Sequence, residues 1–149
     1  MSVIIRRLRP DEIEQAEPLY QEYMKLDVPR ERTIRQSIER DDSEILVGEV
    51  QGRVVGLIHQ VFYIDPLHAG VCSNILFLCV REPFRRQRVG SLLVEGALNS
   101  AARRGVLEVH VSTRADNFPA MKLYEKFRFE HAGPLFECTP GKLDERHAA

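Results

Sequence analysis

Asn74-Ile75-Leu76-Phe77-Leu78-Cys79-Val80, followed by Arg81-Glu82-Pro83-Phe84 and then Arg85-Arg86-Gln87-Arg88-Val89-Gly90-Ser91, is the stretch on which the fold turns. The first segment is an almost wholly apolar strand, and the last leads into a long helical pattern that starts near Ser91. A buried strand, a tight basic turn and a helix start place backbone N–H groups and the positive end of a helix dipole at one point. That is the composition of an anion site. It is neither a phosphate loop of the G-x-x-x-x-G-K-[ST] kind nor a G-x-G-x-x-G dinucleotide fingerprint.

Working outward, the helix after Gly90 carries Val89, Leu92, Leu93, Ala97 and Ala101 on one stripe and ends at Arg103-Arg104-Gly105. Before the opening strand, Ile45–Val50 and Val54–Ile64 read as strands joined at Gln51-Gly52-Arg53, a tight hairpin signal. The second of them is apolar on both faces and is expected inside the sheet. Asp65 to Gly70 is a loop.

Toward the start, Val3–Arg9 is an expected strand and Asp11 to about Lys25 an expected helix, kinked or split by Pro18. A break at Leu26-Asp27-Val28-Pro29 precedes a second helix from Glu31 to about Arg40. Toward the end, Leu107–Val111 alternates as a strand, Asp116-Asn117 can cap a helix running to about Phe127, and Phe129–Cys138 is expected to be a last strand. The order predicts one α/β (α+β) domain with a mixed sheet over residues 1–140, and a polar tail at 141–149.

The chain has 149 residues and a formal net charge of -1, so the whole molecule offers no field to gather nucleic acid. The arginines at 81, 85, 86 and 88 are a local cluster suited to one small polyanion. No apolar run is long enough to span a membrane and no secretory leader is evident, which gives the cytoplasm as the expected compartment. Three cysteines without C-x-x-C spacing argue against a disulfide framework and a zinc site. Cys72 and Cys79 lie an odd number of residues apart, which on one regular strand puts them on opposite faces. His110, His131 and His147 lack ligand spacing, so no metal is expected.

A second signature, Asn117-x-x-Ala120-x-x-Leu123-Tyr124 continuing as Glu125-Lys126-Phe127-Arg128-Phe129, joins the first. Together they resemble the GNAT (GCN5-related) N-acetyltransferase family. Arg85-Arg86-Gln87-Arg88-Val89-Gly90 is similar to the family's Q/R-x-x-G-x-G/A turn, and the surrounding strand, helix and terminal LYEKFRF element come in the family's order over roughly Val3 to Phe136. The resemblance implies a mixed, mostly antiparallel sheet flanked by helices on both faces, with a splayed central strand pair. It departs at Arg88 and Arg128, where the family usually has glycine.

The resemblance further implies acetyl-CoA as co-substrate. Its pyrophosphate would be held by Arg85, Arg86, Gln87, Arg88, Val89, Gly90 and Ser91, with Asn117 as a further partner. Its pantetheine arm would pair with backbone near Leu78 and Val80. A backbone N–H on that strand would serve as an oxyanion donor worth ~3 kcal/mol. Tyr124 would be the general acid, since a phenol titrating near ~10 is protonated at neutral pH. The acceptor amine, a small molecule or a peptide, would attack directly.

The general base is open: His59, Tyr63, Asp65, His68 and Asn74 are candidates, and so is a water relay. Tyr20, Tyr23, Asp27 and Glu31 are candidates for the acceptor pocket. The rival functions are a degenerate acyl-CoA-binding regulatory module and a small RNA- or nucleotide-binding domain. No nucleic-acid or membrane partner is expected. Dimers are common among such enzymes, which makes a homodimer compatible with the resemblance.

Overall fold

The computed structural model describes residues 1–141, and these fall into two compact units, Met1–Thr113 and a second beginning at Arg114. In the first, five strands lie in chain order: β1 (Ile4–Arg7), β2 (Ser43–Val50), β3 (Arg53–Asp65), β4 (Gly70–Val80) and β5 (Val109–Val111). The first three pairings are antiparallel, and β4 with β5 is parallel. The β2–β3 connection is the two-residue turn Gln51-Gly52, with both φ angles positive (49° and 78°). Such a turn matches the natural twist of a hairpin.

Helices α1 (Ile13–Tyr23) and α2 (Glu31–Ile38) cover one face of the sheet. Leu8, Ile13, Ala16, Leu19 and Ile34 pack there on Ile45, Val47, Val54, Leu57 and Cys79. Pro18 lies inside α1 without splitting it. A 3-10 turn at Pro10–Glu12 leads into α1, and Glu12 is buried and held by two bonds from Arg6 and one from the Arg9 N–H. The Arg6 guanidinium holds the Glu12 carboxyl below the usual range.

Helix α3 (Val89–Arg103) covers the other face. The buried Gln60 donates to the Ala97 carbonyl at 3.1 Å and accepts from Ser73 Oγ at 2.8 Å, tying β3, β4 and α3 together. The helix ends as the sequence predicts: Gly105 at φ 71° lets its own N–H reach the Ala102 carbonyl and that of Val106 reach Ala101. No helix among the described residues is long and apolar enough to cross a membrane.

The second unit contains α4 (Phe118–Lys126), begun by Asn117 and Pro119. The last strand expected over Phe129–Cys138 is absent: the described residues beyond α4 form no strand. Gly133 at φ 143° takes a conformation closed to other residues, and Pro134 has no N–H for a ladder. Leu135 and Phe136 are exposed, so no apolar face is buried to hold a strand there. The tail expected at 141–149 lies outside the described residues after Gly141.

Candidate functional site

β4 has two halves. Its register against β3 slips between Gln60↔Ile75 and His59↔Phe77, so Leu76 is an extra residue and forms a bulge. Pairing with β5 runs through Ser73, Asn74 and Ile75 and stops there. Past the bulge β4 keeps β3 but has no β5, and this is the splay that the resemblance implies. The bulge also overturns one parity expectation. Cys72 pairs with Tyr63 and Cys79 with Leu57, residues six apart on β3, so the two cysteines share a face. Burial pushes both thiols up, Cys79 to about 11, so neither is a ready thiolate.

The same register fixes which backbone groups face the open side. The Ser73 N–H and Val71 carbonyl bond Glu108 and Leu107 on the β5 side. After the bulge, Arg81 N–H bonds Val55 of β3 at 2.8 Å, so Leu78 and Val80 direct their peptide groups away from β3. The Val80 carbonyl accepts from Arg85 Nε at 2.9 Å. Leu78 and Val80 are the two strand positions that the resemblance implies for a pantetheine arm.

The strand runs into a 3-10 turn at Glu82–Phe84 and then the basic turn. Arg86 (φ 61°) and Arg88 (φ 69°, ψ 3°) are both left-handed. Two left-handed residues one position apart bend the chain sharply just before the helix start, a turn geometry in which neighbouring backbone N–H groups can converge. A non-glycine residue in that region costs about 1 kcal/mol. Arg88 therefore holds a backbone form that glycine adopts without that cost. It is also the N-cap of α3, whose first N–H groups, at Val89 and Gly90, have no helical carbonyl four residues back. Gln87 Nε2 donates to the Pro83 carbonyl at 3.0 Å, and Arg85 Nη2 pairs with Glu22 of α1 at 3.1 Å. The Arg85 guanidinium thus braces the turn against α1 while the backbone supplies the donors.

On the α1–α2 face, Phe77 begins the open half and stacks on Tyr20 (centroids 4.5 Å apart), with Tyr23 edge-on at 4.9 Å. Burial raises the Tyr20 phenol, which stays neutral. The α1–α2 loop is wrapped round Arg30, which donates to the Met24, Leu26 and Val28 carbonyls and to Gln21. Glu31 pairs with Arg35, and Asp27 is exposed. A cleft of about 270 Å³ is lined by Arg40, Asp42, Ser43, His59, Val61 and the bulge residue Leu76, among others. His59 Nε2 lies 2.8 Å from Ser43 Oγ, and burial lowers the imidazole pKa, favouring its neutral form.

The other base candidates sit at the far end of the β3–β4 hairpin or in the paired half of β4. Asp65 and His68 are hydrogen-bonded to each other, and His68 also meets Glu108 at 2.6 Å. Asp65 above all, with Glu108 behind it, raises the imidazole pKa, which favours a ring that already carries its second proton and has no free nitrogen for another. Tyr63 bonds His110 at 3.2 Å, and its phenol is raised by what burial it has. Asn74 lies in the paired half of β4.

In the second unit, Asn117 Oδ1 accepts from the Ala120 N–H at 3.3 Å as the cap of α4. Tyr124 is 8% exposed and packs edge-on against Phe129 at 5.5 Å. The N–H groups of Arg128 and Phe129 reach the Glu125 and Tyr124 carbonyls, with Arg128 left-handed at φ 66°. This end repeats the closure of α3 with arginine in place of glycine.

A family model described as "Acetyltransferase (GNAT) family" matches residues 6–129. The chain belongs to the GNAT acetyltransferase family. Human N-acetyltransferase 8 is 30% identical over 101 residues, which is 68% of this chain and 44% of that protein, so the chain spans under half its length. Among solved structures, a ribosomal-protein-alanine N-acetyltransferase from Brucella melitensis shares 18% identity at TM-score 0.79, covering 94% of this chain and all (100%) of that one. AAC(6')-Iy in complex with a CoA-S-monomethyl-acetylneamine bisubstrate analogue shares 14% at TM-score 0.81, covering 93% and 98%. At these identities the structures establish the fold.

Within this GNAT fold, Leu78, Val80 and the Arg85–Ser91 turn are brought to one open edge. In the second unit, Asn117 caps α4 and Tyr124 lies on it. Sequence reasoning missed Ser43, Arg30 and Glu108. Glu108 and Ser43 act through partners far away in the chain, and no local pattern signals them. Arg30 falls between the expected break at Leu26–Pro29 and the expected helix from Glu31, and a lone arginine there does not signal the carbonyls it gathers.

Proposed function

We propose that the chain is an N-acetyltransferase that moves the acetyl group of acetyl-CoA to a primary amine by direct attack. The single observation that carries this is the way β4 loses β5 after Ile75 while its open half runs straight into a turn with two left-handed arginines and a helix N-terminus. A slot lined by strand backbone and closed by an anion nest fits an extended arm ending in a pyrophosphate.

The residues divide the work. Leu78 and Val80 would orient the pantetheine arm through backbone bonds, and the N–H groups of the Arg86–Ser91 segment would hold the pyrophosphate. Acetyl-CoA, when bound, supplies an activated thioester. A strand N–H directed to the open side would stabilise charge developing on the thioester oxygen. Tyr124 would give its phenolic proton to the departing thiolate, and Asn117 would offer its amide to the cofactor. His59, kept neutral by burial, is the side chain best suited to take the amine proton, directly or through water in the adjoining cleft. The Tyr20–Tyr23–Phe77 group offers ring faces that suit a cationic acceptor.

Thiol release from acetyl-CoA across a panel of amines is the test. The expected result is turnover with at least one primary amine, lost in Tyr124→Phe while CoA binding persists. CoA binding without turnover of any amine would instead assign an acyl-CoA-binding module. RNA bound in preference to CoA would overturn both.

A further inference from the structure

At the far end of the β3–β4 hairpin stands a cluster the acetyl-transfer reading does not use. Asp65 ends β3, His68 lies in the connecting loop and Cys72 is on β4. One oxygen, nitrogen or sulfur from each falls within 4.8 Å of the others. Asp65 Oδ2 meets His68 Nδ1 and lies 3.8 Å from Cys72 Sγ, while Asp65 Oδ1 is occupied by the Leu67 N–H at 3.0 Å. One carboxylate oxygen is therefore turned to the loop and the other to the cluster.

We propose that Asp65, His68 and Cys72 form a binding site for a divalent zinc-class cation. The donor set of one imidazole nitrogen, one thiolate sulfur and one carboxylate oxygen suits zinc, whereas hard cations such as magnesium take oxygen alone. Bond lengths of about 2.0–2.3 Å imply ligand atoms roughly 3.5 Å apart in a tetrahedron, so the cluster needs adjustments of about 1 Å. On binding, the Cys72 thiol and the His68 Nδ1–H that faces Asp65 each lose a proton to solvent, while His68 Nε2 keeps its proton toward Glu108. The thiolate and the Asp65 carboxylate then balance the charge of the cation. Three protein ligands leave the fourth position to water.

An independent feature points the same way. Glu108 Oε2 lies 2.6 Å from His68 Nε2, on the side of the ring away from Asp65. Metal-bound histidines regularly give their second N–H to a carboxylate, which fixes ring and tautomer. Glu108 is itself placed by the bond from the Ser73 N–H to its carbonyl at 3.0 Å. The site would thus tie the β3–β4 hairpin to the strand leading into β5, next to the residues where β4 is still paired. The expectation of no metal rests on His110, His131 and His147. The pattern Asp65-x-x-His68-x-x-x-Cys72 spans a hairpin loop and becomes a cluster only once the strands pair.

The test uses the full chain, stripped with chelator, in a Cys138→Ser background that removes the one exposed thiol. Zn2+ alone is titrated by calorimetry, and Co2+ is followed by visible absorption. Expected are one equivalent bound, a tetrahedral Co2+ spectrum with a thiolate charge-transfer band, and a melting temperature raised by Zn2+. Cys72→Ser should abolish the thiolate band, and Glu108→Gln should weaken binding about 10-fold or more. If the buried Cys72 variant does not fold, His68→Gln decides, because it should remove the Zn2+-dependent rise in melting temperature. Absence of stoichiometric binding, a Co2+ spectrum without the thiolate band, or binding unchanged in His68→Gln would overturn the site.

Discussion

From Val71 to Ile75, β4 is bonded on both edges, to β3 and to the Leu107–Val111 segment that contains β5; from Phe77 to Val80 its strand pairing is with β3 alone. The first half contains Cys72, Ser73 and Ile75, all buried, and the Gln60–Ser73 link to α3. The second half follows the solvent-exposed Leu76 and leads into the strained basic turn. One strand thus supplies both the rigid centre of the sheet and an edge available to a ligand. The residue that separates them is a single bulge. The open edge is continuous with a half-strand that is anchored on both sides.

The difference can be broken first at the bulge itself. Ile75→Ala should cost about 3 kcal/mol in urea unfolding, because it leaves a cavity in the core. Leu76→Ala, one residue on, should stay within about 0.5 kcal/mol. Equal costs would mean that the bulge does not divide the strand as described.

Next in size is the chemistry. Tyr124→Phe should lower turnover by about 100-fold, within the range for a lost general acid, with CoA affinity held. A parallel loss of CoA affinity, measured by calorimetry, would make Tyr124 a packing residue on Phe129 instead.

Smaller effects belong to the arginines in glycine-like conformations. Arg128→Gly should stabilise the chain by about 1 kcal/mol, since α4 closes with the same two bonds that α3 makes with Gly105. Arg88→Gly should gain a similar amount in thermal unfolding. A loss of stability in either would show that the side chain contributes more than the backbone strain costs.

The smallest expected effect is a pH dependence from His59. Burial lowers its folded pKa below the ordinary 6.5, so the unfolded chain binds more protons as pH falls. Its contribution to stability is complete above the unfolded value and declines as pH drops through and below it. His59→Gln should flatten that part of the stability curve, as followed by thermal melts from neutral to mildly acidic pH. If His59 also takes the amine proton, the acid limb of kcat/KM should change in the same variant.

Much of the fold was legible because its signals are local. The Gln51-Gly52 hairpin, the α3 stripe with its Gly105 stop and the Asn117 cap each rest on a few adjacent residues, and each stands in the structure. The last strand misled because Phe129–Cys138 has strand-like composition, and composition does not supply a partner edge. The shared face of Cys72 and Cys79 was hidden because residue counting assumes a regular strand, and a bulge is a property of two strands together. The same reason hid Ser43 beside His59 and Glu108 beside His68, pairs made across 16 and 40 positions of the chain respectively (43 to 59, 68 to 108). The basic turn was legible as the link between a strand and a helix start, but its left-handed arginines were not, because arginine gives no signal for that conformation.

Amide hydrogen exchange with and without CoA reads the two halves of β4 separately. CoA should protect the N–H groups of Leu78, Val80 and the Arg86–Gly90 turn, and leave those of Ser73 and Ile75 unchanged. CoA that binds without protecting Leu78 and Val80, or that protects the paired half instead, would contradict the slot proposed along the open half.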